Sequence, residues 1–268
     1  MATRILIVTD LHQRAVLYDA LIKLACEIKP DAIILGGDFL HGTGLLPYGR
    51  TQQLTPTQCA VELHAIEAPL MFVRGNHEDE NWFEFRDAWK SLHTSAPVRL
   101  NGSFAMIGSV GVVGFPCFMG YQQPFSEGQP LGGEHYQYWF KHLLADHGDD
   151  AKRLWIMHEP PTGTQISEEG SPVEGNAWWR DAIEEHQPEL VVCGHDHTTP
   201  ISRGVWKDQI GATNVLNVGQ NMDGPLHATL VMGAASDRLQ FEKLVVDSTA
   251  SAKTHAAHGW QIGAEAVP

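Results

Sequence analysis

The chain has 268 residues, 43% of them apolar, which is enough for one large buried core. Acidic residues outnumber basic ones 32 to 18, a formal charge of −14, which excludes an extended nucleic-acid groove because such a groove needs basic stripes to neutralise phosphates. The longest apolar stretches, such as Ala32–Leu35 and Gly108–Phe115, are far too short to span a bilayer. Four scattered cysteines without a C-x-x-C pair fit a reduced, cytoplasmic protein.

Met1-Ala2-Thr3-Arg4 runs at once into Ile5-Leu6-Ile7-Val8 without a cleavage site, so the start reads as a first strand, Ile5–Thr9, and not as a signal peptide. Apolar residues at helical spacing (Val16, Leu17, Ala20, Leu21, Leu24) predict a helix over Arg14–Ile28, stopped by Pro30. A second strand, Ala32–Gly36, precedes a Gly/Pro-containing loop from His41 to Pro56. A helix over Thr57–Ile66, a strand over Leu70–Arg74 and an aromatic-rich helix over Glu80–Leu92 follow. This β-α-β-α-β order favours parallel strands joined by helices.

Phe104–Ile107 and Val110–Gly114, separated by Gly108-Ser109, predict a hairpin. Cys117–Gly133 reads as a long loop, then come a helix (Glu134–His147), a strand (Leu154–Met157) and a second long loop (Pro160–Gly175). A helix over Asn176–Glu185 and a strand over Leu190–Cys193 lead into a last third, Gly204 to Val246, that reads as consecutive antiparallel strands. Residues 1–247 form a single domain in this reading, and the Ala-rich, aperiodic 248–268 is expected to be a poorly ordered tail.

Five short stretches carry candidate metal ligands: T-D-L-H (Asp10, His12), G-G-D (Asp38), R-G-N-H-E (Asn76, His77), M-H-E-P-P (His158) and C-G-H-D-H (His195, His197). Most follow an apolar, β-branched run, and ligands at strand ends converge outside the carboxyl edge of an open sheet. On an extended backbone, Asp10 and His12 point to one side, as do His195 and His197. Glycines before Asp38, Asn76 and His195 allow tight turns and close approach. Two carboxylates, one amide and four imidazoles make a borderline-hard donor set without thiolate, suited to Mn, Fe, Zn, Ni or Co and not to Cu(I) or an iron–sulfur cluster. Two divalent ions against two carboxylates and a bridging hydroxide leave such a site at about +1, able to hold a phosphate dianion despite the acidic chain.

The order D-x-H, G-D, G-N-H-E, a lone His, then G-H-x-H resembles the calcineurin-like metallophosphoesterase superfamily over roughly residues 5 to 220. The resemblance implies an α/β fold, a four-layer α/β/β/α sandwich of two β-sheets flanked by helices, with a dinuclear centre along one edge. It implies one metal on Asp10, His12, Asp38 and His197 and another on Asp38, Asn76, His158 and His195, with Asp38 bridging. Manganese is the first choice of ion. His77 would stabilise the phosphate and protonate the leaving group, and a metal-bound hydroxide would attack. The implied activity is hydrolysis of a small phosphomonoester or phosphodiester.

Departures from the pattern narrow this. Where serine/threonine protein phosphatases read G-D-x-x-D-R-G, this chain has Gly37-Asp38-Phe39-Leu40-His41-Gly42-Thr43, which lacks the orienting carboxylate and the phosphate-gripping arginine. Metal-dependent protein phosphatase activity and a non-catalytic scaffold of the same fold are the alternatives. The complete ligand set speaks against the scaffold. Arg74 is a candidate phosphate contact or an ion-pair partner for the site's own acids, and His41 a substitute for the missing carboxylate or an exposed loop histidine. Glu78 and Glu159 are candidates to fix imidazole orientation. Arg14 reads as a surface charge at a helix start, Trp178-Trp179, Tyr136, Tyr138 and Trp139 as core packing, and Cys193 as a buried strand residue. Specificity is expected from the three long loops.

Overall fold

The computed structural model describes residues 2–42, 51–78, 81–92, 97–117, 141–168, 175–235 and 237–247. The opening apolar run forms β1 (Thr3–Val8) and is followed by α1 (Ala15–Ile28), β2 (Ala32–Leu35), α2 (Pro56–His64), β3 (Leu70–Phe72), α3 (Trp82–Leu92) and β4 (Val98–Arg99). The middle adds β5 (Ser103–Ile107), β6 (Val110–Phe115), α4 (residues 141–147), β7 (Leu154–Met157), α5 (Ala177–His186), β8 (Leu190–Val192) and α6 (Thr199–Arg203). The chain closes with β9 (Lys207–Ile210), β10 (Thr213–Leu216), β11 (Leu226–Gly233) and β12 (Gln240–Val246).

Two six-stranded mixed sheets result, ordered β12-β11-β1-β2-β3-β4 and β5-β6-β7-β8-β10-β9. β1 to β4 are mutually parallel, and so are β6, β7, β8 and β10; the antiparallel strands lie toward the edges. β2, β3, β7 and β8 are apolar at every position because both faces are covered. Ile5 and Ile7 of β1 and Ile34 of β2 pack with Val110, Val112, Ile156 and Val192 between the sheets. Leu6, Val8, Ile33 and Leu35 face the other way, onto Leu17, Leu21 and Leu24 of α1 and the aromatic group Phe39, Phe72, Phe85 and Trp89. On the far side, Phe115, Trp155 and Val191 meet Trp179 and Ile183 of α5. The architecture is therefore the four-layer α/β/β/α sandwich.

Local signals account for most boundaries. Thr55 and Gln58 form a reciprocal capping box that starts α2, with Pro56 in its first turn. Asn176 caps α5 by accepting from the Trp178 N–H at 2.9 Å. Among the described residues, three short elements are absent from the sequence reading: β4, two exposed edge residues, a 3-10 turn over Gly148–Lys152, and α6, five residues too short to show a period. The last third differs in topology. It is not one antiparallel run: β9 and β10 pair on the second sheet, where β10 also lies parallel to β8, while β11 and β12 return to the first. Periodicity reports which faces of a strand are covered and not which sheet it joins, so it does not distinguish these cases. The tail 248–268, residues 134–140 of the expected middle helix and the greater part of the loop from Cys117 lie outside the described residues, as do 43–50 and 169–174 of the other two loops.

Candidate metal centre

The carboxyl ends of the parallel strands meet in three cross-sheet pairs. The loop after β8 donates to the loop after β1 (His195 N to Asp10 Oδ1, 3.1 Å), and that after β7 to that after β2 (His158 Nδ1 to Gly36 O, 3.0 Å). The loop after β6 donates to that after β3 (Cys117 N to Arg74 O, 2.8 Å). All seven expected ligands lie at this junction, which explains why positions so far apart in sequence converge.

The convergence does not come from extended backbone, as the two-residue spacing suggests. Asp10, His12, Gln13, Asp38 and His195 all have positive φ, from 42° to 66°. Left-handed backbone costs a non-glycine residue about 1–2 kcal/mol. It persists here because the loops over-determine it: Asp10 N, His12 N and Gln13 N donate to Gly37 O, Asp38 O and Phe39 O at 3.0, 2.8 and 3.1 Å. Close approach also needs glycine. A Cβ on Gly75 would stand 2.1 Å from Asp38 Oδ1, and one on Gly37, whose φ is 101°, 2.2 Å from His158 Nδ1.

Within this frame the possible ligand atoms of the described residues form three groups. Those of Asp10, His12 and Asp38 all lie within 4.8 Å of one another, and so do those of Cys117, His158 and His195 and those of His12, His41 and His77. Asp38 joins the groups: its Oδ2 is 3.3 Å from His158 Nε2, 3.8 Å from His12 Nε2 and 3.7 Å from His77 Nε2. Asn76 Oδ1 stands 3.1 Å from His158 Nε2 and 3.0 Å from His195 Nδ1. The His197 ring meets that of His12 edge-on with centroids 5.4 Å apart. The Gly36 carbonyl can only accept, so His158 Nδ1 donates to it; Nε2 faces the Asp38 and Asn76 oxygens as a donor in the metal-free cluster, and a bound cation would take the place of that proton.

Electrostatics follow from burying this many ionisable groups together. Burial disfavours the Asp38 anion, yet His158, His12 and His77 outweigh it and hold the carboxyl well below the usual range. Burial pulls the His158 imidazolium down, but the Asp38, Asp10 and Glu78 carboxylates prevail and push it up to about 10. His195, desolvated and beside His158, falls to about 4, and His12 drops for the same two reasons, burial and neighbouring imidazoles, against the pull of Asp38. Glu78, buried near Asp38, rises to about 8. The residues fit divalent cations: His195 Nε2 is buried without a hydrogen-bond partner among the described residues, and an ion would relieve the mutual desolvation of carboxylates and imidazoles.

The remaining candidates sort as follows. His77 Nδ1 accepts from the Gly42 N–H at 3.4 Å, and its ring stacks on His41 with centroids 5.3 Å apart. His41 is thus no exposed loop histidine; it is buried, with Nδ1 3.4 Å from His12 Nδ1. Arg74 is partly buried at the end of β3, its backbone N–H donating to Asn101 Oδ1 at 3.0 Å. Glu78 does not orient an imidazole: its two oxygens accept from the N–H groups of Leu40 (3.1 Å) and Gly75 (2.6 Å), bracing the loops that carry Asp38 and Asn76. Glu159 accepts from Asn176 Nδ2 at 3.4 Å. Arg14 is not a surface charge. It is fully buried, paired to Asp223 at 3.2 Å and bonded to Thr51, tying the loops on either side of the β1 end together. Trp179 is core, whereas Trp178 is exposed; Tyr136, Tyr138 and Trp139 lie outside the described residues. Cys193 is buried in the apolar layer, as its strand position predicts.

Three positions are missed by sequence reasoning, although one of them, Asp196, stands inside C-G-H-D-H. Asn217, fully buried after β10, donates to Ile166 O, Gly194 O and Asp196 O and accepts from Gly219 N, fixing the loop of His195 and His197. Asp196, between those histidines, accepts from the N–H groups of Thr199 and Glu168. Cys117 enters the second ligand group. Only a buried side chain with several backbone partners, visible in three dimensions, identifies the first two.

A model of the calcineurin-like phosphoesterase family matches residues 3–199. No protein of curated function matches the chain by sequence. Among solved structures, a dimetal phosphatase from Danio rerio superposes with a TM-score of 0.57 at 12% identity, over 89% of this chain and 98% of that one. The protein TT1561 of Thermus thermophilus gives 0.54 at 17%, over 88% and 100%. A novel archaeal phosphodiesterase gives 0.51 at 11%, over 91% and 100%. At such identities the likeness is one of fold.

Proposed function

The chain belongs to the calcineurin-like phosphoesterase family, and from that premise we propose that it hydrolyses a small phosphomonoester or phosphodiester at a dinuclear metal centre. One observation carries the reading: Asp38 Oδ2 lies within 3.3 to 3.8 Å of three imidazole nitrogens drawn from three different loops. Asp10, His12, Asp38 and His197 would hold one ion, and Asp38, Asn76, His158 and His195 the other. Divalent ions held there would supply a water of lowered pKa and charge stabilisation for the attacking and leaving oxygens. The protein's own part is positioning. His77 accepts at Nδ1 from Gly42, so a neutral ring keeps its proton on Nε2, 3.7 Å from Asp38 Oδ2 and facing the cluster. That proton goes to the leaving-group oxygen, and His41 stacked behind holds the ring in place. Gly42 leaves no cation where protein phosphatases of the family pattern carry arginine, which favours small substrates over phosphoproteins.

Paired variants test the assignment. Asp38→Ala is expected to lose both bound metal and hydrolysis, while His77→Ala keeps its metal and loses rate by about 10²–10⁴-fold, the usual worth of a positioned acid. Wild-type turnover in His77→Ala would remove the role given to that residue.

A further inference from the structure

We propose that Cys117 is a further metal ligand, a thiolate at the position shared by Asn76, His158 and His195 that makes this position select thiophilic divalent ions over Mn²⁺ and Mg²⁺. The inference rests on the dinuclear reading and replaces its thiolate-free donor set. Cys117 lies two residues past β6, its backbone N–H held by Arg74 O at 2.8 Å, which fixes the β6 end against the loop of Asn76. Its Sγ is 4.0 Å from Asn76 Oδ1, the oxygen that also faces His158 Nε2 at 3.1 Å and His195 Nδ1 at 3.0 Å. Thiol and imidazole ligand atoms lie within 4.8 Å of one another. Two such donors on one ion stand roughly 3.5 Å apart at a tetrahedral angle, so a small side-chain rotation closes the set.

The alternative is a cysteine used as a small hydrophobe. The other buried cysteines behave that way: Cys59 belongs to the apolar layer around α1, and Cys193 to the layer under α5. Cys117 is equally buried yet belongs to no apolar cluster among the described residues. None of the four cysteines forms a disulfide. His195 beside it is itself buried, with Nε2 lacking a hydrogen-bond partner among the described residues. On binding, the metal–sulfur bond forms as the S–H proton leaves to solvent, with no change of oxidation state. A soft donor among imidazoles favours zinc, iron or cobalt over the harder ions.

Cobalt(II) added without oxygen to the whole, metal-stripped protein reads the ligand directly. The expected spectrum has visible d–d bands together with an intense near-ultraviolet sulfur-to-cobalt band. In Cys117→Ser the visible bands remain and the near-ultraviolet band disappears. Competition titrations are expected to show zinc weakened at least about tenfold in that variant and manganese by less than about threefold. Visible bands without the sulfur band in the wild type, or a sulfur band that survives Cys117→Ser, overturn the ligand and leave the phosphoesterase reading standing. No cobalt uptake by the wild type overturns both.

Discussion

At the scale of single residues, the centre depends on side chains that brace it as much as on those that face it. Glu78 is the clearest case. Both of its oxygens accept from backbone N–H groups, at Leu40 and Gly75, so an amide with its single acceptor oxygen cannot replace it. Glu78→Gln turns an amide N–H toward one of those donors, and an unmet buried donor costs about 1–3 kcal/mol. Thermal unfolding of Glu78→Gln is therefore expected at a lower temperature than wild type, with weaker metal binding; unchanged stability would show that the carboxylate does not brace the loops. Gly75→Ala places a methyl 2.1 Å from Asp38 Oδ1. Overpacking of this kind costs about 1–3 kcal/mol, and the Asp38 carboxylate has to move, so metal affinity measured by titration is expected to fall along with stability.

At the scale of elements, each parallel strand contributes by where it stops. The candidate ligands are legible in the sequence because D-x-H, G-D, G-N-H and G-H-x-H follow apolar runs, and the strand ends that present them are legible for the same reason. Their backbone geometry is not legible. Spacing suggests extended pairs, whereas positive φ at Asp10, His12, Asp38 and His195 reflects hydrogen bonds between loops distant in sequence. Cys117 is illegible too, because Pro116-Cys117 carries no pattern until β6 pairs with β7 and its loop meets that of β3. β9 with β10 and β11 with β12 are antiparallel as the sequence suggests, but their division between two sheets leaves no mark on periodicity. Asn217 shows how an element end supports the site from behind. Asn217→Ala removes the Nδ2 donor from the carbonyls of Ile166, Gly194 and Asp196, of which Gly194 O still accepts from the Asp196 N–H. Loss of stability by at least about 1–3 kcal/mol and weaker metal binding are expected in a denaturant titration with and without metal. A variant as stable as wild type that binds metal equally well would show that the loop holds itself.

At the scale of the whole molecule, the cluster makes the metal-free protein sensitive to pH. His158 rises from 6.5 to about 10, so its stabilisation is complete below about pH 6.5 and is lost as pH rises toward 10. Glu78, raised from 4.5 to about 8, adds a loss across its own window, complete only above about pH 8. His195 runs the other way: lowered from 6.5 to about 4, it stabilises above pH 6.5 and loses this as pH falls toward 4. The metal-stripped protein is thus expected to weaken steadily above about pH 6.5. Metal binding needs deprotonated ligands and strengthens over the same window. The rise in Tm on adding a divalent ion is expected to be larger at pH 8 than at pH 5.5; an equal rise at both would contradict the assignment of the titrating cluster to the metal site. The formal charge of −14 would not oppose an anionic substrate, because cations bound at the proposed centre would set the field there. No helix among the described residues is long and apolar enough to cross a membrane.

The most direct test of the central claim is hydrolysis of p-nitrophenyl phosphate and bis-p-nitrophenyl phosphate by metal-stripped protein. Mn, Ni, Co, Zn and Mg are added back one at a time, with bound metal counted per chain. The account predicts that a transition-metal ion restores turnover of at least one of the esters, with two ions bound per chain. Two ions bound without hydrolysis of either ester, or hydrolysis in fully stripped protein, would contradict it.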